Sequence, residues 1–351
     1  MLEVDGSFGE GGGQIIRTAI ALAAITGKEV EITNIRANRP NPGLSAQHLN
    51  AVKAVERLSG GHTEGLELRS TRLKFSPGPT KRGGFEGEID IGTAGSITLL
   101  LQSYIPVALF SRNETKVRIT GGTDVKWSPP IDFYTHLFIK ALREMGCEIY
   151  LKTEQRGYYP KGGGLVEICV TPVHHLTGFV LPACEAGTES IVKGVSHSCG
   201  LSAHVAERQA RAAEKVLHDN GYSTAIKIEI EAKNGAKWRT GSGITLWCGY
   251  KSGSALGERG KRAEFVGEEA ARKILKELKS ASTVDVYLAD QLVPYLALSN
   301  DKSEIIVRKM TKHLETNLYI TQKFLNGRFE VEKKDVTTEK ETGFVIRSSG
   351  V

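Results

Sequence analysis

The chain has 351 residues, 40% of them hydrophobic and 25% charged, and it carries a formal net charge of +6. This composition is typical of a globular protein, and the length favours two domains. No run of eighteen apolar residues occurs, which excludes a membrane-spanning helix, whereas the mildly basic charge permits a polyanionic partner without demonstrating one.

The cysteines and the N-terminal segment narrow the class further. The five cysteines are odd in number and none forms a Cys-x-x-Cys pair, which argues against a disulfide framework and against a structural zinc site. We expect most of them to be buried thiols. The segment MLEVDGSFGE is acidic and lacks the apolar core of a secretory signal, so we expect a cytoplasmic protein.

The chain contains an internal repeat whose first unit starts near the N-terminus. A glycine-rich turn is followed by the apolar helical pattern QIIRTAIALAAIT, the strand EVEITNI, a polar loop with proline, and an amphipathic helix ending in VERLSG. The second unit repeats this order with the turn GTAG, the helical pattern SITLLLQSYIPVALF, the strand KVRITGG and a helix ending in ALREMG. Gly13 and Gly95 occupy corresponding turns.

A third unit follows late in the chain. LADQLVPYLAL is its first predicted helix, SEIIVRKM its strand, TKHLETNLYITQKFL its loop and second helix, and GRFEVEK its final strand. Alternating helical and strand periods predict that helices cover one face of a small sheet in each unit. The C-terminal segment EKKDVTTEKETGFVIRSSGV is assigned no element.

A further block separates the second and third units. Its two predicted helices, HVAERQARAAEKVLHDNG and EEAARKILKELKS, carry dense charge on one face, and its predicted strands are STAIKIEIEA and GITLWCGY. We therefore predict an α/β (α+β) protein with a large domain of residues 1–184 and 282–351. Residues 185–281 are predicted to form a smaller inserted α/β domain, whose charges are interpreted as a solvated surface.

The loop DGSFGEGGGQIIRT is the first candidate site. Its three consecutive glycines leave backbone N–H groups uncovered at a helix start, where they and the helix dipole attract anions. Gln14 and Arg17 share a helix face, and an arginine one turn inside such a helix start suits a phosphate. The alternative is a tight turn in which the glycines serve close packing.

Two arginines and a histidine follow the first predicted strand. Arg36 and Arg39 lie three residues apart in a loop held by two prolines, and His48 follows in the same segment. Two guanidinium groups after a strand suit a phosphate or carboxylate ligand. A solvent-facing pair is the alternative.

The segments KMTKHLETN and VYLADQL carry the remaining candidates. His313 precedes a short helix and is a candidate base, metal ligand or nucleophile, with Thr316 and Asn317 placed to hold its imidazole. A structural or exposed histidine is the alternative. Asp290 is interpreted first as a helix cap, and second as a residue that orients a histidine or binds Mg²⁺.

Seven segments together resemble the RNA 3′-terminal phosphate cyclase family. In chain order they are DGSFGEGGGQIIRTA, NIRANRPNPGLSAQHLNAVKA, IGTAGSITLLLQS, GGTDVKWSPPIDF, GYYPKGGG, YLADQL and KHLETN. The resemblance covers nearly the whole chain. It implies three repeats, each a four-stranded sheet under two helices, with a smaller α/β domain inserted before the third repeat.

The resemblance implies ATP-dependent conversion of an RNA 3′-phosphate to a 2′,3′-cyclic phosphate, with RNA 3′-phosphate ends as the partner. His313, in the family's H-L-x-T-N signature, is implied to attack the α-phosphate of ATP and to form a covalent His–AMP. AMP then passes to the RNA 3′-phosphate, and the neighbouring 2′-hydroxyl displaces it. Mg²⁺ or Mn²⁺ is expected to accompany ATP instead of occupying an all-protein site.

The resemblance also implies roles for individual positions. Arg17 and Glu10 are implied to be catalytic beside His313, with Glu10 acting through the metal. The positions implied to bind ATP are Gln102, Pro129, Tyr287, Leu288, Ala289, Asp290 and Gln291. Arg36 and Arg39 are implied to bind the substrate phosphate.

Two other interpretations compete with the cyclase. Non-catalytic RNA-binding or ribosome-assembly proteins of the same fold lack the nucleophile signature, so KHLETN favours the enzyme. The enolpyruvyl transferases also use repeated units, but they lack H-L-x-T-N and act on small substrates. The sequence leaves open the oligomeric state, the RNA used in the cell and the role of the inserted block.

Overall fold

The first two repeat units fold as small sheets with the same strand order. The structure, a computed structural model, describes residues 1–78, 84–181, 191–231, 239–325, 329–335 and 342–350. The first unit consists of β1 (Leu2–Asp5), α1 (Gly13–Thr26), β2 (Val30–Thr33), α2 (Ala46–Ser59), β3 (His62–Glu64) and β4 (Leu73–Ser76). Its strand order is β1-β2-β4-β3, with β1 and β2 parallel and the other pairs antiparallel.

The second unit repeats this topology with one irregular helix. Its elements are β5 (Glu86–Asp90), α3 (Ile97–Leu109), β6 (Thr115–Gly121), α4 (Ile131–Phe133), a π-helical turn (Tyr134–Phe138), α5 (Ile139–Glu144), β7 (Ile149–Gln155) and β8 (Gly164–Val170). The strand order is β5-β6-β8-β7, again with the first pair parallel. The internal repeat predicted from the sequence is therefore confirmed in these two units.

The inserted block forms a sheet and a core of its own. It consists of β9 (Ile191–Cys199), α6 (His204–His218), β10 (Ser223–Glu231), β11 (Gly241–Cys248), β12 (Lys251–Leu256) and α7 (Ala263–Leu278), with strand order β10-β9-β11-β12. A separate apolar cluster between the helices and the sheet includes Val192, Leu217, Leu246 and Ile274. The prediction of helix, strand, strand and helix was incomplete, because it omitted β9 and β12.

The third unit contains α8 (Val286–Leu298), β13 (Ser303–Val307), α9 (Lys312–Phe324), β14 (Phe329–Asp335) and β15 (Thr342–Ser348). Its described strands run in the order β13-β15-β14, so three strands are seen where four were predicted. The central strand β15 comes from the C-terminal segment to which the sequence assigned no element.

The inserted block interrupts the third unit instead of preceding it. Val180 forms a parallel bridge with Glu304 of β13, as β1 does with β2 and β5 with β6. On the far side of the block, the Thr283 N–H donates to the Ile306 carbonyl at 2.9 Å. Both ends of the block therefore meet the same strand. The predicted boundary at residues 184 and 185 lies outside the described residues, so the domain limits stay a prediction.

The helices of the three units pack on one another and form the main core. α1 packs against α2, α3 and α9, and α8 packs against α9. α1 is buried from Gln14 to Ala23, because its sequence is apolar on nearly every side. Among the described helices, none has the length and apolarity needed to cross a bilayer.

The described cysteines agree with their predicted role as thiols. Cys147, Cys199 and Cys248 are buried, Cys169 is partly buried, and no disulfide joins any two of these four cysteines. Cys184 lies outside the described residues.

Candidate functional site

The predicted site residues come together where helices of the three units meet. Glu10 lies in the loop before α1 and Arg17 lies within α1, while Gln102 belongs to α3, Asp290 to α8 and His313 to α9. Their elements adjoin because α1 contacts α3 and α9, and α8 contacts α9. Each repeat unit therefore contributes to one site.

His313 lies at the start of α9 and faces an acidic and a basic side chain. Its Nε2 is 3.2 Å from Glu10 Oε2, and the same carboxylate oxygen is 3.2 Å from Arg39 Nη2. Thr311 caps the helix, since its Oγ1 accepts from the Leu314 N–H at 3.0 Å. The helix start is therefore capped, and the His313 side chain is 48% exposed and accessible to a ligand.

The backbone around His313 is held by buried amides and not by contacts to the imidazole. Gln14 Nε2 donates to the His313 carbonyl at 2.5 Å, and Asn317 Nδ2 donates to the Asp290 carbonyl at 2.6 Å. Thr18 Oγ1 donates to Asn317 Oδ1 at 2.9 Å. These bonds connect α1, α8 and α9.

The prediction that Thr316 and Asn317 hold the imidazole was wrong. Thr316 Oγ1 donates instead to the Lys312 carbonyl, at 2.6 Å, and Asn317 is turned into the core. The side chain that contacts the imidazole is Glu10.

Arg17 is a buried guanidinium without a carboxylate partner among the described residues. Its Nε donates to Gln102 Oε1 at 2.6 Å. Burial lowers the pKa of Arg17 to about 10, with Tyr134 and Asp290 opposing the shift. Arg17 therefore stays charged at neutral pH, and a buried unpaired cation favours an anionic ligand.

The start of α1 has room for such a ligand. Gly12 is its N-cap and provides no side-chain hydrogen bond, whereas Ser96, Asp285 and Thr311 cap α3, α8 and α9 with their side chains. The uncapped N–H groups remain available to an anion.

Packing also requires glycine in this turn. A Cβ on Gly13 would lie 1.9 Å from His48 Nε2, and Gly11 has a φ of +57°. The close-packing interpretation of the glycine-rich loop is therefore confirmed, whereas anion binding at its uncapped helix end stays a prediction.

Arg36, Arg39 and His48 surround this turn. Arg36 Nη1 donates to the Gly43 carbonyl at 3.0 Å, and burial together with the neighbouring Arg39 lowers the pKa of Arg36. His48 is part of the capping box of α2, because its Nδ1 accepts from the Ser45 N–H at 3.0 Å. Burial, Arg17 and Arg36 lower the pKa of His48 to about 3, so this histidine is a neutral structural residue.

Asp290 is not the cap of α8, and that prediction was wrong. Asp285 is the cap and accepts from the Tyr287 and Leu288 N–H groups. Asp290 is buried in the second turn, where its Oδ1 accepts from Gln291 Nε2 at 2.9 Å. Burial raises the pKa of Asp290 to about 7 against the opposing effect of Gln291.

The other positions implied to bind ATP differ in exposure. The Tyr287 side chain is exposed, whereas Leu288 and Ala289 are completely buried in the core. Tyr134 donates its hydroxyl to Gln291 Oε1 at 3.2 Å, which fixes that amide. The Pro129 carbonyl accepts from Thr98 Oγ1, one helical turn from Gln102.

The protonation state of His313 follows from its surroundings. Burial lowers its pKa, Glu10 opposes this, and Arg17 and Arg39 lower it further. The net result is a pKa below the ordinary value for histidine. At neutral pH the imidazole is therefore uncharged, which suits a nucleophile.

The donor atoms here fit a metal ion that arrives with a polyphosphate. Within the described residues, the one grouping of three metal-binding side chains lies elsewhere, at Asp124, Asp132 and His197. Glu10 is a partly exposed carboxylate beside the arginines. One carboxylate together with phosphate oxygens is a usual environment for Mg²⁺.

The sequence comparisons bear on the whole chain. The model of a family described as RNA 3′-terminal phosphate cyclase matches residues 8–331. The chain belongs to the RNA 3′-terminal phosphate cyclase family. A relative of that name from Archaeoglobus fulgidus is 48% identical over 95% of this chain and 99% of its own length, and one from Pyrococcus furiosus is 48% identical over 95% of both chains. One from Methanosarcina acetivorans is 46% identical over 95% of this chain and 98% of its own length.

A solved structure of EPSP synthase from Acinetobacter baumannii aligns at a TM-score of 0.25 and 14% identity, over 60% of this chain and 53% of that one. A similarity this weak does not show a common fold.

Sequence reasoning missed several residues that shape the site of this cyclase-family chain. Thr18 and Tyr134 connect helices through side-chain bonds that no local spacing predicts. The sequence predicted that Gln14 shares a helix face with Arg17, but it did not predict the contact of Gln14 with His313. The capping box at Ser45 and His48 did leave a local signal, the S-x-x spacing before an amphipathic helix, although histidine replaces the usual glutamate or glutamine.

Proposed function

We propose that the protein is an ATP-dependent RNA 3′-terminal phosphate cyclase, an AMP-forming enzyme of the ligase class. It would convert an RNA 3′-phosphate into a 2′,3′-cyclic phosphate. The observation that carries this proposal is an uncharged, half-exposed His313 with Glu10 at 3.2 Å and two arginines nearby. Membership of the family, and relatives that bear the cyclase name, support the substrate.

In the first step His313 is the nucleophile. Its nitrogen lone pair forms a bond to the α-phosphorus of ATP while the bond to pyrophosphate breaks, which leaves AMP on the imidazole. Arg17 offsets the negative charge that accumulates on the phosphates of ATP. A divalent cation bound with ATP would add to this charge stabilisation, and Glu10 is the carboxylate placed to hold it.

In the later steps the RNA supplies both reacting groups. An oxygen of its 3′-phosphate attacks the phosphorus of the histidine-bound AMP and frees the imidazole. The neighbouring 2′-hydroxyl then attacks the terminal phosphorus of the RNA, and AMP leaves with the bonding electrons. Holding the hydroxyl next to the phosphorus removes most of the entropic barrier. A DNA end lacks this hydroxyl, so it cannot cyclise.

The nucleotide is proposed to lie along the starts of α3 and α8. The exposed ring of Tyr287 and the partly exposed Pro129 are placed to contact the base. Gln102, Asp290 and Gln291 lie deeper and complete the polar wall of this site. Leu288 and Ala289 would act through the backbone, because their side chains are buried.

We propose a cytoplasmic setting for this reaction. No disulfide joins any two of the four described cysteines, which suits a reducing compartment.

The decisive experiment is covalent labelling. The protein is incubated with α-labelled ATP and Mg²⁺ or Mn²⁺ and then denatured. The label should remain on the protein, be released by acid as a phosphoramidate is, and be lost in His313→Ala. His218→Ala changes an exposed histidine of α6 and should label as the parent does. Absence of covalent label with either metal would exclude the mechanism and favour a binding protein of the same fold.

A variant of Arg39 distinguishes self-adenylation from transfer of AMP to the RNA. Because its guanidinium is partly exposed and lies beside Glu10, Arg39→Ala should slow transfer of AMP to a 3′-phosphorylated RNA more than self-adenylation. The two rates are measured in single turnover, and we expect transfer to slow about 100-fold and self-adenylation to slow less. Equal losses in both steps would assign Arg39 to ATP instead.

A further inference from the structure

A second polar cluster lies where the second repeat unit meets the inserted block. Asp124 follows β6, Asp132 lies in α4, and His197 lies in β9 of the inserted block. One ligand atom from each lies within 4.8 Å of the others. All three residues are buried, with 2%, 6% and 1% of their surfaces exposed.

Two atoms of this cluster have no hydrogen-bond partner among the described residues. They are Asp124 Oδ1 and His197 Nε2, and they lie 3.5 Å apart. This separation exceeds the usual N–H···O range of about 2.7–3.2 Å. It is close to the separation expected of two ligands that each bind one ion at about 2.0–2.2 Å. The unused lone pairs therefore converge on a point that suits a cation.

The charges of the cluster also favour a cation. Asp124, Asp132 and Glu229 bring three negative charges, and Arg156 is the one buried cation within 3.2 Å of all three carboxylates. Lys227 pairs with Glu229 from an exposed position, where solvent screens its charge. With the imidazole neutral, Asp124, Asp132 and Arg156 carry a net charge of −1, and the partly exposed Glu229 adds a further negative charge at their edge.

Neighbouring side chains orient the three ligands as they do around bound metal ions. Tyr158 Oη lies 2.7 Å from His197 Nδ1 and can accept its proton, which leaves Nε2 free to bind. Arg156 donates to both oxygens of Asp132, at 2.9 and 3.0 Å, and Thr123 Oγ1 donates to Asp124 Oδ2 at 2.7 Å. Each carboxylate oxygen has two lone pairs, so these bonds leave a lone pair for an ion.

An ion can reach the cluster from solvent. A cavity of about 310 Å³ opens beside it, with Asp132, Arg156, His197, Cys199 and Glu229 among its lining residues. The polar walls suit a hydrated ion and the water ligands that it would retain.

We propose that Asp124, Asp132 and His197 bind a divalent transition-metal ion of the Zn²⁺ type. One imidazole and two carboxylates favour Zn²⁺ over Mg²⁺, which prefers oxygen ligands alone. The ion joins the second repeat unit to the inserted block. It is separate from the cation expected with ATP. The test of this metal site is therefore independent of whether the protein catalyses the proposed reaction. Sequence spacing gave no signal, because His197 lies in the inserted block, far along the chain from Asp124 and Asp132.

The test is metal binding by the full-length protein without ATP. The protein is treated with a chelator, dialysed and titrated with Co²⁺, whose visible absorption reports nitrogen and oxygen ligation, and then with Zn²⁺. We expect one Co²⁺ per chain and its displacement by Zn²⁺. Glu10→Gln should bind in the same way, which separates this site from the ATP site. No binding up to millimolar Co²⁺ would overturn the proposal.

Variants assign the ligands. Asp124→Asn keeps the side-chain shape and should weaken binding at least about tenfold, as should His197→Gln. Tyr158→Phe removes the partner of Nδ1 and should weaken binding about 10- to 100-fold. His218→Ala is the matched control and should bind as the parent does. Circular dichroism verifies folding, and Asp124→Asn decides the result if His197→Gln unfolds. Unchanged binding in Asp124→Asn would overturn the assignment.

Discussion

Glu10 and His313 form the contact on which the proposed nucleophile depends. Burial and the two arginines lower the pKa of His313, and Glu10 raises it. Self-adenylation needs the uncharged imidazole, so its rate should fall as pH drops through the folded pKa. Glu10→Gln removes the one group that raises the pKa. We therefore expect the acid limb of the pH–rate profile to move to lower pH, measured as label incorporation in single turnover.

Exposed Glu3 provides the control for this experiment. Glu3→Gln removes a carboxylate from β1 without touching the imidazole and should leave the profile in place. If the acid limb of the pH–rate profile of Glu10→Gln moves to higher pH or does not move, the proposed effect of Glu10 on the pKa of His313 is contradicted. A lower maximal rate in Glu10→Gln is also expected, because Glu10 is proposed to hold a divalent cation bound with ATP.

Asp290 ties stability to pH. Burial raises its pKa from 3.8 to about 7, against the opposing effect of Gln291. Between these values the folded state binds more protons than the unfolded state, so this contribution to stability is complete below pH 3.8 and is lost as pH rises to 7. Asp290→Asn cannot ionise. It should be more stable than the parent by about 2–4 kcal/mol at pH 8, because each pKa unit corresponds to about 1.4 kcal/mol.

The pH dependence of unfolding provides the measurement for Asp290. The stability difference between Asp290→Asn and the parent should shrink as the pH of urea denaturation is lowered from 8 to 4. Asp219→Asn changes an exposed carboxylate at the end of α6 and is the matched surface control. A difference for Asp290→Asn that stays constant would show that the residue does not titrate in this range.

At the scale of elements, locally encoded features were predictable and long-range pairings were not. The periods of α8, β13 and α9 are visible in the sequence, and their bounds agree closely with the structure. β15 was missed because its apolar run, FVI, is too short to assign by periodicity and is flanked by charged residues. It becomes the central strand through pairing with β13 and β14, which sequence spacing does not specify.

In the candidate site, too, locally encoded residues were predictable and contacts between helices were not. The glycine-rich loop and the family signature located Glu10, Arg17 and His313, which the structure brings together. The cap of α8 was misplaced because two aspartates lie near the helix start, and only the backbone position of Asp285 satisfies the N–H groups. The amides that hold His313 were missed because they act between helices.

The position of β15 gives a prediction about truncation. A chain that ends before Thr342 loses the strand between β13 and β14 and leaves both without their partner. We expect this chain to lose the third sheet, to expose the face on which α8 and α9 lie, and to lose self-adenylation. Removal of residues 349–351 leaves β15 complete and should preserve folding and labelling. Near-parental circular dichroism and labelling in the longer truncation would contradict the central role of β15.

At the scale of the whole molecule, the inserted block leaves and re-enters the main body at one strand. Val180 pairs with Glu304, and Thr283 bonds to Ile306 two residues further along β13. Close ends allow a block with its own core to be inserted without disturbing the repeat. The block is nevertheless not loosely attached, because buried polar contacts such as Ser252 Oγ to Asp285 Oδ2, at 2.5 Å, cross the junction.

Arg156 is the centre of this junction and tests how firmly the two parts are joined. It contacts Asp124 and Asp132 of the second unit and Glu229 of the inserted block. Arg156→Met leaves buried carboxylates unpaired, which should cost about 3–5 kcal/mol. Arg208→Met removes a bidentate but solvent-screened pair with Glu264 and should cost much less. Both are measured by urea denaturation with chelator present. Equal losses would mean that the junction is solvated and contributes no more than a surface ion pair.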